Sequence, residues 1–255
     1  MLTLVGLGLW DEKDITLRGL EEVRKADIVY AEFYTSKLVG TSVEALEKLY
    51  GRKVVVLERK DLEDESWKIV EEAKSKNVVI LVAGDPGVAT THSSLLLEAK
   101  RKGVVTRIVH NASVISAICS VTGLHSYKFG KSATVSYPYK GMVSKTPLKV
   151  IKENLSVNAH TLLLLDLNPE PMTIGEAVRI MEKVDDGTLN HFAVGVARIG
   201  GDCYVKCDHF YSLPDHDFGE PLHCIVFLSK KLHFTEYEFL REFADAPKEL
   251  EEFVE

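Results

Sequence analysis

Apolar runs and amphipathic stretches alternate regularly through the first 111 residues. Strands are predicted at 2–9, 27–33, 53–58, 78–83 and 105–109. Helices are predicted between them at 16–26, 42–50, 61–76 and 91–102. In the first helix Leu17, Leu20, Val23 and Ala26 recur at near-helical spacing and give it one apolar face. Strands that are apolar throughout, separated by amphipathic helices, predict a mainly parallel sheet covered on both sides.

The pattern changes at His110-Asn111-Ala112-Ser113, where small and polar residues lead into a short apolar helix at 114–121. A glycine-bounded segment, 122–130, follows. We expect the domain boundary here, giving an N-terminal domain at 1–111 and a C-terminal domain at 112–255. In the second half strands are predicted at 132–136, 161–167, 192–199, 204–211 and 224–228, and helices at 148–155, 174–184 and 235–243. Gly200-Gly201-Asp202 between two strand-like runs reads as a hairpin, so the second sheet should be mixed. Residues 139–147 read as an exposed loop, and the acidic tail 249–255 as a solvated helix end. The fold class is α/β with two α/β domains.

Composition narrows the partners. The chain has 255 residues, 45% hydrophobic and 27% charged, with a net charge of -7. That balance opposes sequence-independent nucleic-acid binding, which needs Lys and Arg to neutralise phosphates, and no basic tract stands out. No export signal or long apolar span is seen, so a cytoplasmic protein without membrane contact is expected. The four cysteines, Cys119, Cys203, Cys207 and Cys224, then argue against a disulfide framework. Cys203 and Cys207 with His209, His216 and His223 raise a zinc site. The spacing is looser than usual for structural zinc and the segment alternates like a strand, so no metal is expected.

The most informative stretch is 77–92. A buried-strand run stops at Gly84-Asp85-Pro86-Gly87, and Thr90-Thr91 opens a helix. In an open α/β sheet, ligands bind beyond the carboxyl ends of the strands. The loops at 6–9, 32–36, 84–91 and 111–113 all leave such ends and should share one rim. Gly6-Leu7-Gly8-Leu9-Trp10-Asp11 starts like a dinucleotide fingerprint but has Asp11 where the third glycine belongs. Asp85 likewise stands where a phosphate loop offers glycines and a lysine, so a ligand with cationic or hydroxyl groups fits better than a pyrophosphate. Each feature has a plainer reading. The glycines permit a tight turn, Asp-Pro-Gly is common turn chemistry, and Asp14, Thr16, Thr35 and Thr90 suit capping. His92 is either a base or a residue of the first helical turn. No nucleophile elbow, Cys/His pair or zinc-protease helix is present.

At these residues the chain resembles the diphthine synthase family of tetrapyrrole-methylase-type methyltransferases. The resemblance rests on 6–16 (Gly-Leu-Gly-Leu-Trp-Asp-Glu-Lys-Asp-Ile-Thr), 31–36 (Ala-Glu-Phe-Tyr-Thr-Ser) and 84–92 (Gly-Asp-Pro-Gly-Val-Ala-Thr-Thr-His). To these are added 122–132 (Thr-Gly-Leu-His-Ser-Tyr-Lys-Phe-Gly-Lys-Ser) and 219–223 (Gly-Glu-Pro-Leu-His). Gly-Asp-Pro marks the wider superfamily; the Ala-Thr-Thr-His extension and the Tyr-Lys-Phe-Gly-Lys block are more specific. The resemblance implies S-adenosyl-L-methionine held in a cleft between two domains, S-adenosyl-L-homocysteine as product, and a homodimer. It implies a substrate too: the histidine of elongation factor 2 that carries a 3-amino-3-carboxypropyl group, whose amino nitrogen is trimethylated to diphthine. The family's cofactor contacts fall on Leu9, Asp85, Val88, Ser113, Val114, Leu165, Ile199 and His223. Gly87 departs from the bulkier apolar residue usual there, and 200–217 matches poorly. Catalytic residues and contacts to the protein substrate are not identified.

Three other functions compete. A methyltransferase for a tetrapyrrole or ribosomal RNA is nearest, although an RNA enzyme should show a basic face. A nicotinamide-dependent oxidoreductase would use Glu32 at the end of the second strand, against the failed glycine fingerprint. A catalytically silent binding module is the third.

Overall fold

The structure, a computed structural model, describes all 255 residues, and they divide into two compact units, Met1–Val114 and Ile115–Glu255. In the first, β1 (Leu2–Gly6), β2 (Ile28–Glu32), β3 (Val55–Leu57), β4 (Val78–Val82) and β5 (Thr106–Val109) form one sheet. The order is β3-β2-β4-β1-β5, and every pairing is parallel. Its helices are α1 (Leu17–Lys25), α2 (Val43–Tyr50), α3 (Arg59–Glu63), α4 (Ser66–Ala73) and α5 (Ser93–Arg101), and α6 (Val114–Thr122) starts at the unit's last residue.

Alternating strand residues supply two separate cores. Val5, Val79, Leu81 and Ala31 pack with Val23 of α1 and with Leu46 and Tyr50 of α2. Leu2, Leu4, Val78, Ile80 and Val82 pack with Ile69, Val70 and Ala73 of α4 and with Leu95 and Ala99 of α5. β1 and β4 are neighbours, yet the helix after β1 covers one face and the helix after β4 the other. The chain therefore leaves these two neighbouring strands toward opposite faces, and ligands of open α/β sheets bind outside strand ends so arranged.

Local chemistry fixes the helix ends. The Thr16 hydroxyl accepts from the Gly19 amide at 3.0 Å to start α1, and Ser42 does the same for α2 through Ala45. The helix expected over 61–76 is divided. Asp64 and Glu65 both donate their amides to Lys60 O at 2.9 Å and close α3. Four acids crowd 61–65, with like charges Asp61 and Glu65 four apart. Carboxylates gathered just before Ser66 suit the start of α4 better than a helix interior.

The second unit holds β6 (Ala133–Val135), β7 (Thr161–Leu165), β8 (Phe192–Ala197), β9 (Tyr204–His209) and β10 (His223–Phe227), in the order β6-β7-β10-β8-β9. Only β6–β7 is parallel, so this sheet is mixed. α7 (Thr146–Ser156) and α8 (Ile174–Glu182) pack on one face through Leu148, Ile151, Ala177, Val178 and Met181, and α9 (Phe234–Phe243) follows β10. β8 stops two residues short of the expected end because Arg198 turns left-handed, with φ 50°. Its guanidinium donates to the carbonyls of Phe218 and Glu220. The expected hairpin joins β8 to β9. The acidic tail is not a solvated helix end: Leu250 is fully buried, and Leu232 exchanges main-chain bonds with Phe253 and Glu255. No helix is long and apolar enough to cross a membrane.

Candidate functional site

At the rim of the first sheet, glycine brings two loops into contact. Gly8 and Gly84 exchange amide–carbonyl bonds of 3.3 and 2.7 Å, and both have positive φ. A Cβ on Gly6 would lie 2.7 Å from Gly84 O and 2.8 Å from the Asn111 Cβ. Gly6→Ala is therefore expected to destabilise the fold by about 1–3 kcal/mol, since main chain must move to make room. Chemical denaturation measures this, and an unchanged midpoint and slope would show that the approach is not close.

Asp85 organises the turn after β4. It is 8% exposed. Oδ1 accepts from the Gly87 amide at 2.8 Å, and Oδ2 accepts from the Asn111 amide at 3.0 Å. His110 Nδ1 lies 2.9 Å from Oδ2. Burial opposes ionisation, but these two amides and the His110 ring outweigh it and hold the carboxyl below the usual aspartate range. The geometry bears out the turn reading of Asp85: the carboxylate shapes the loop after β4 and ties it to the loop after β5. Val88, half-buried, donates its amide to Asp85 O at 3.1 Å, and Ala89 is left-handed with φ 54°.

The remaining expected residues of this unit lie in the joined loops. Leu9 donates its amide to Asp14 Oδ2 at 3.1 Å, with Trp10 beside it at 2.7 Å. Ser113 is buried and Val114 half-buried at the start of α6. Asn111 was read only as part of a loop, yet it links three of them. Its Nδ2 donates to Gly6 O at 2.9 Å and to Asp14 O at 3.0 Å, while its amide bonds Asp85. The sequence signal was a carboxamide placed directly after the apolar strand β5.

His92 is buried. Its Nδ1 sits 3.3 Å from Pro86 O and its Nε2 3.3 Å from Glu32 Oε1, the latter out of hydrogen-bond alignment. Glu32 is fully enclosed and accepts from both the amide and the hydroxyl of Thr35. Thr90 donates to Pro86 O at 2.7 Å. His92 is thus the residue that ties the Asp85 turn to the end of β2. Glu32 is spent inside the fold, and Asp11 caps the turn at Glu12–Asp14 through the Lys13 amide. Neither acid is presented as the ribose-binding group that a nicotinamide enzyme requires.

In the second unit, Leu165 ends β7 and His223 starts β10, one step beyond the Cys224–Leu164 pair. His223 also pairs with Ala197, two residues before Ile199, so the three expected residues share one sheet edge. Ile174 N–H donates to His223 Nδ1 at 3.3 Å, which leaves the ring proton on Nε2. Burial holds His223 below the usual histidine pKa and keeps it neutral. Nε2 is buried without a hydrogen-bond partner, although the carbonyls of residues 218–220 are near. An unpaired buried donor at this edge is one a ligand acceptor would satisfy. Cys207, by contrast, is buried within β9 and Cys203 exposed before it, and His216 bonds Asp208 at 2.8 Å.

A rim pinned by glycine, with an ionised aspartate and no phosphate loop, characterises this fold. Residues 1–200 match the family model of the Tetrapyrrole (Corrin/Porphyrin) Methylases. The diphthine synthase of Archaeoglobus fulgidus is 59% identical over the full length of both chains. That of Methanosarcina acetivorans is 45% identical, again over the whole of both. A solved crystal structure of diphthine synthase superposes with a TM-score of 0.95 at 59% identity, covering 99% of each chain. The chain belongs to the tetrapyrrole methylases, within their diphthine synthase branch.

Proposed function

We propose that this protein is an S-adenosylmethionine-dependent methyltransferase of diphthamide biosynthesis. Its substrate is the 3-amino-3-carboxypropyl-modified histidine of elongation factor 2, and its product is the trimethylammonium form, diphthine. The observation that carries this reading is 59% identity to the Archaeoglobus fulgidus diphthine synthase across every part of both chains. The reading extends to a cytoplasmic homodimer.

The residues present fit the cofactor. S-adenosylmethionine has no phosphate, which agrees with Asp85 at the rim, and its adenosine offers acceptors for the His223 Nε2–H. The contacts proposed for it are Leu9, Asp85, Val88, Ser113, Val114, Leu165, Ile199 and His223. When bound, it supplies an electrophilic methyl group on a sulfonium. The protein's work is then to orient and desolvate the attacking amine, so positioning dominates the barrier lowering. An α-amino group with a pKa of about 7.7–8.0 is partly unprotonated near neutral pH, so no strong general base is required.

The test is incubation with S-adenosylmethionine and elongation factor 2 bearing the unmethylated precursor, followed by mass analysis. The expected product is heavier by three methyl groups, formed at a rate that rises with pH and levels off near pH ~8. Methylation of ribosomal RNA or a tetrapyrrole in place of the protein would overturn the reading.

A further inference from the structure

One charge pattern is absorbed by neither the fold nor the cofactor site. Residues 115–152 contain six lysines and no Asp or Glu, in a chain of net charge -7. The lysines are spaced too widely to stand out as a tract. Four are matched to carboxylates: Lys128 to Glu236 at 2.9 Å, Lys131 to Glu153 at 2.9 Å, Lys149 to Glu153 at 3.9 Å, and Lys152 to Asp186. Lys140 and Lys145 have no acidic partner.

Lys140 sits in the tip of a small hairpin that follows β6, and Lys145 comes three residues after the hairpin, at the N-cap of α7. Tyr139 and Met142 exchange main-chain bonds of 3.1 and 3.0 Å around Lys140 and Gly141, whose φ values are 49° and 77°. Two left-handed residues in succession make a tight turn of defined shape. Its base is anchored, because Tyr137 and Val143 pack against the core and the Tyr137 amide donates to Asp166 Oδ2 at 3.1 Å. Asp166 follows Leu165 directly, so the hairpin rises from the sheet edge that carries Leu165 and His223. Its tip is open: Tyr139 is 72% exposed and Met142 69%, with Lys140 Nζ 5.3 Å from the Tyr139 ring centre.

We propose that this hairpin is the docking element for the protein substrate, gripping an anionic surface of elongation factor 2 beside the modified histidine. The inference rests on the functional reading above. A small substrate needs no contact outside the cofactor pocket, whereas a side chain on a folded protein is reached only after two surfaces meet. An exposed tyrosine and methionine beside uncompensated cations, on a preformed turn, is the composition of an interface anchor. The target side chain itself bears a carboxylate, which adds negative charge for such cations to meet.

The experiment uses the full-length chain and precursor-bearing elongation factor 2. Lys140→Glu with Lys145→Glu is expected to raise KM for the protein substrate about tenfold or more and to flatten its dependence on salt. Tyr139→Ala should also raise KM, and the double change to arginine should retain wild-type KM. Affinity for S-adenosylmethionine by calorimetry and the melting temperature should stay unchanged in all of them. If the wild-type chain methylates elongation factor 2 and the charge-reversed variant keeps its KM, the docking assignment is wrong and the functional reading stands. If the wild-type chain does not methylate it, the functional reading fails first. Loss of transfer-RNA or ribosomal-RNA binding in the charge-reversed variant, with KM for the protein intact, would reassign the hairpin to nucleic acid.

Discussion

Asp85→Ala is expected to weaken S-adenosylmethionine binding about a hundredfold while leaving the chain folded. The carboxylate joins the loops after β4 and β5 through the amides of Gly87 and Asn111 and the His110 ring. A hydrogen bond to a charged group contributes about 1.5–3 kcal/mol, and removing one partner strands the other. Water restores some of these bonds, so a net loss of about 3 kcal/mol in the turn is reasonable. When the binding-competent turn becomes a minor population, affinity falls by that fraction, and each 1.4 kcal/mol is about one decade. The core beneath does not depend on this side chain, so the far-ultraviolet circular dichroism should not change. Asp85→Asn should lie between, because its single carbonyl oxygen can serve only part of the donor set. Because the carboxyl is held below the usual aspartate range, it stays ionised at neutral pH; its contribution is lost only as pH falls below that range. Isothermal titration of wild type and the two variants decides the matter, and wild-type affinity in both variants would show that the turn holds its shape without the charge.

The largest effect on stability is expected at Glu236, which lies in the first turn of α9 and is fully buried. Its carboxylate receives the amides of His125 and His233, both at 2.9 Å, the Lys128 ammonium at 2.9 Å and the His160 Nε2 at 3.2 Å. Ser229 N–H donates to His160 Nδ1 at 3.0 Å, so a neutral His160 donates from Nε2. Burial holds His160 below the usual histidine value of 6.5. Burial also resists a charge on Glu236, but His160, the His125 amide and Lys128 overcome it and hold the carboxyl far below the usual glutamate range. Removing one partner of a buried pair costs about 3–5 kcal/mol because the other is left uncompensated, and Glu236→Ala should cost at least that. Both groups bind protons less readily when folded than when unfolded. Their contributions are complete above the unfolded pKa values and fall away as pH drops, first below about 6.5 through His160 and then below about 4.5 through Glu236. Urea unfolding of wild type and Glu236→Ala at pH 7, 5.5 and 4 should therefore show a difference that narrows at the lowest pH. A constant difference would mean that Glu236 acts through packing alone.

The strand runs were legible because the first sheet buries both of its faces, and side chains such as those of β4 are apolar at every position. The loops of the rim could be placed together from topology alone, since parallel strands end on one side. The work each polar side chain does there could not. A sequence does not distinguish an aspartate that meets a ligand from one that bonds amides two and twenty-six residues away, as Asp85 does. Glu32 looked like a ribose-binding acid because its distance from the first strand was right, yet Thr35 and His92 enclose it. The break in the helix expected over 61–76 is set by charges on adjacent turns, which an apolar periodicity does not register. The tail at 249–255 looked solvated because its acids dominate the composition, while the buried Leu250 decides where it lies. Lys140 and Lys145 stand out only when the pairing of their four neighbours is known.

The routing of the chain to opposite faces after β1 and β4 has an evolutionary corollary. A rim produced by the route of the backbone is not erased when nearby side chains are exchanged. Descendants that keep this strand order inherit the same rim and can revise the surroundings to accept a macrocycle, a nucleic acid or a protein. Diversification within such a lineage should concentrate in segments like the β6 hairpin, while the glycines that let the two loops meet stay under the strictest restraint.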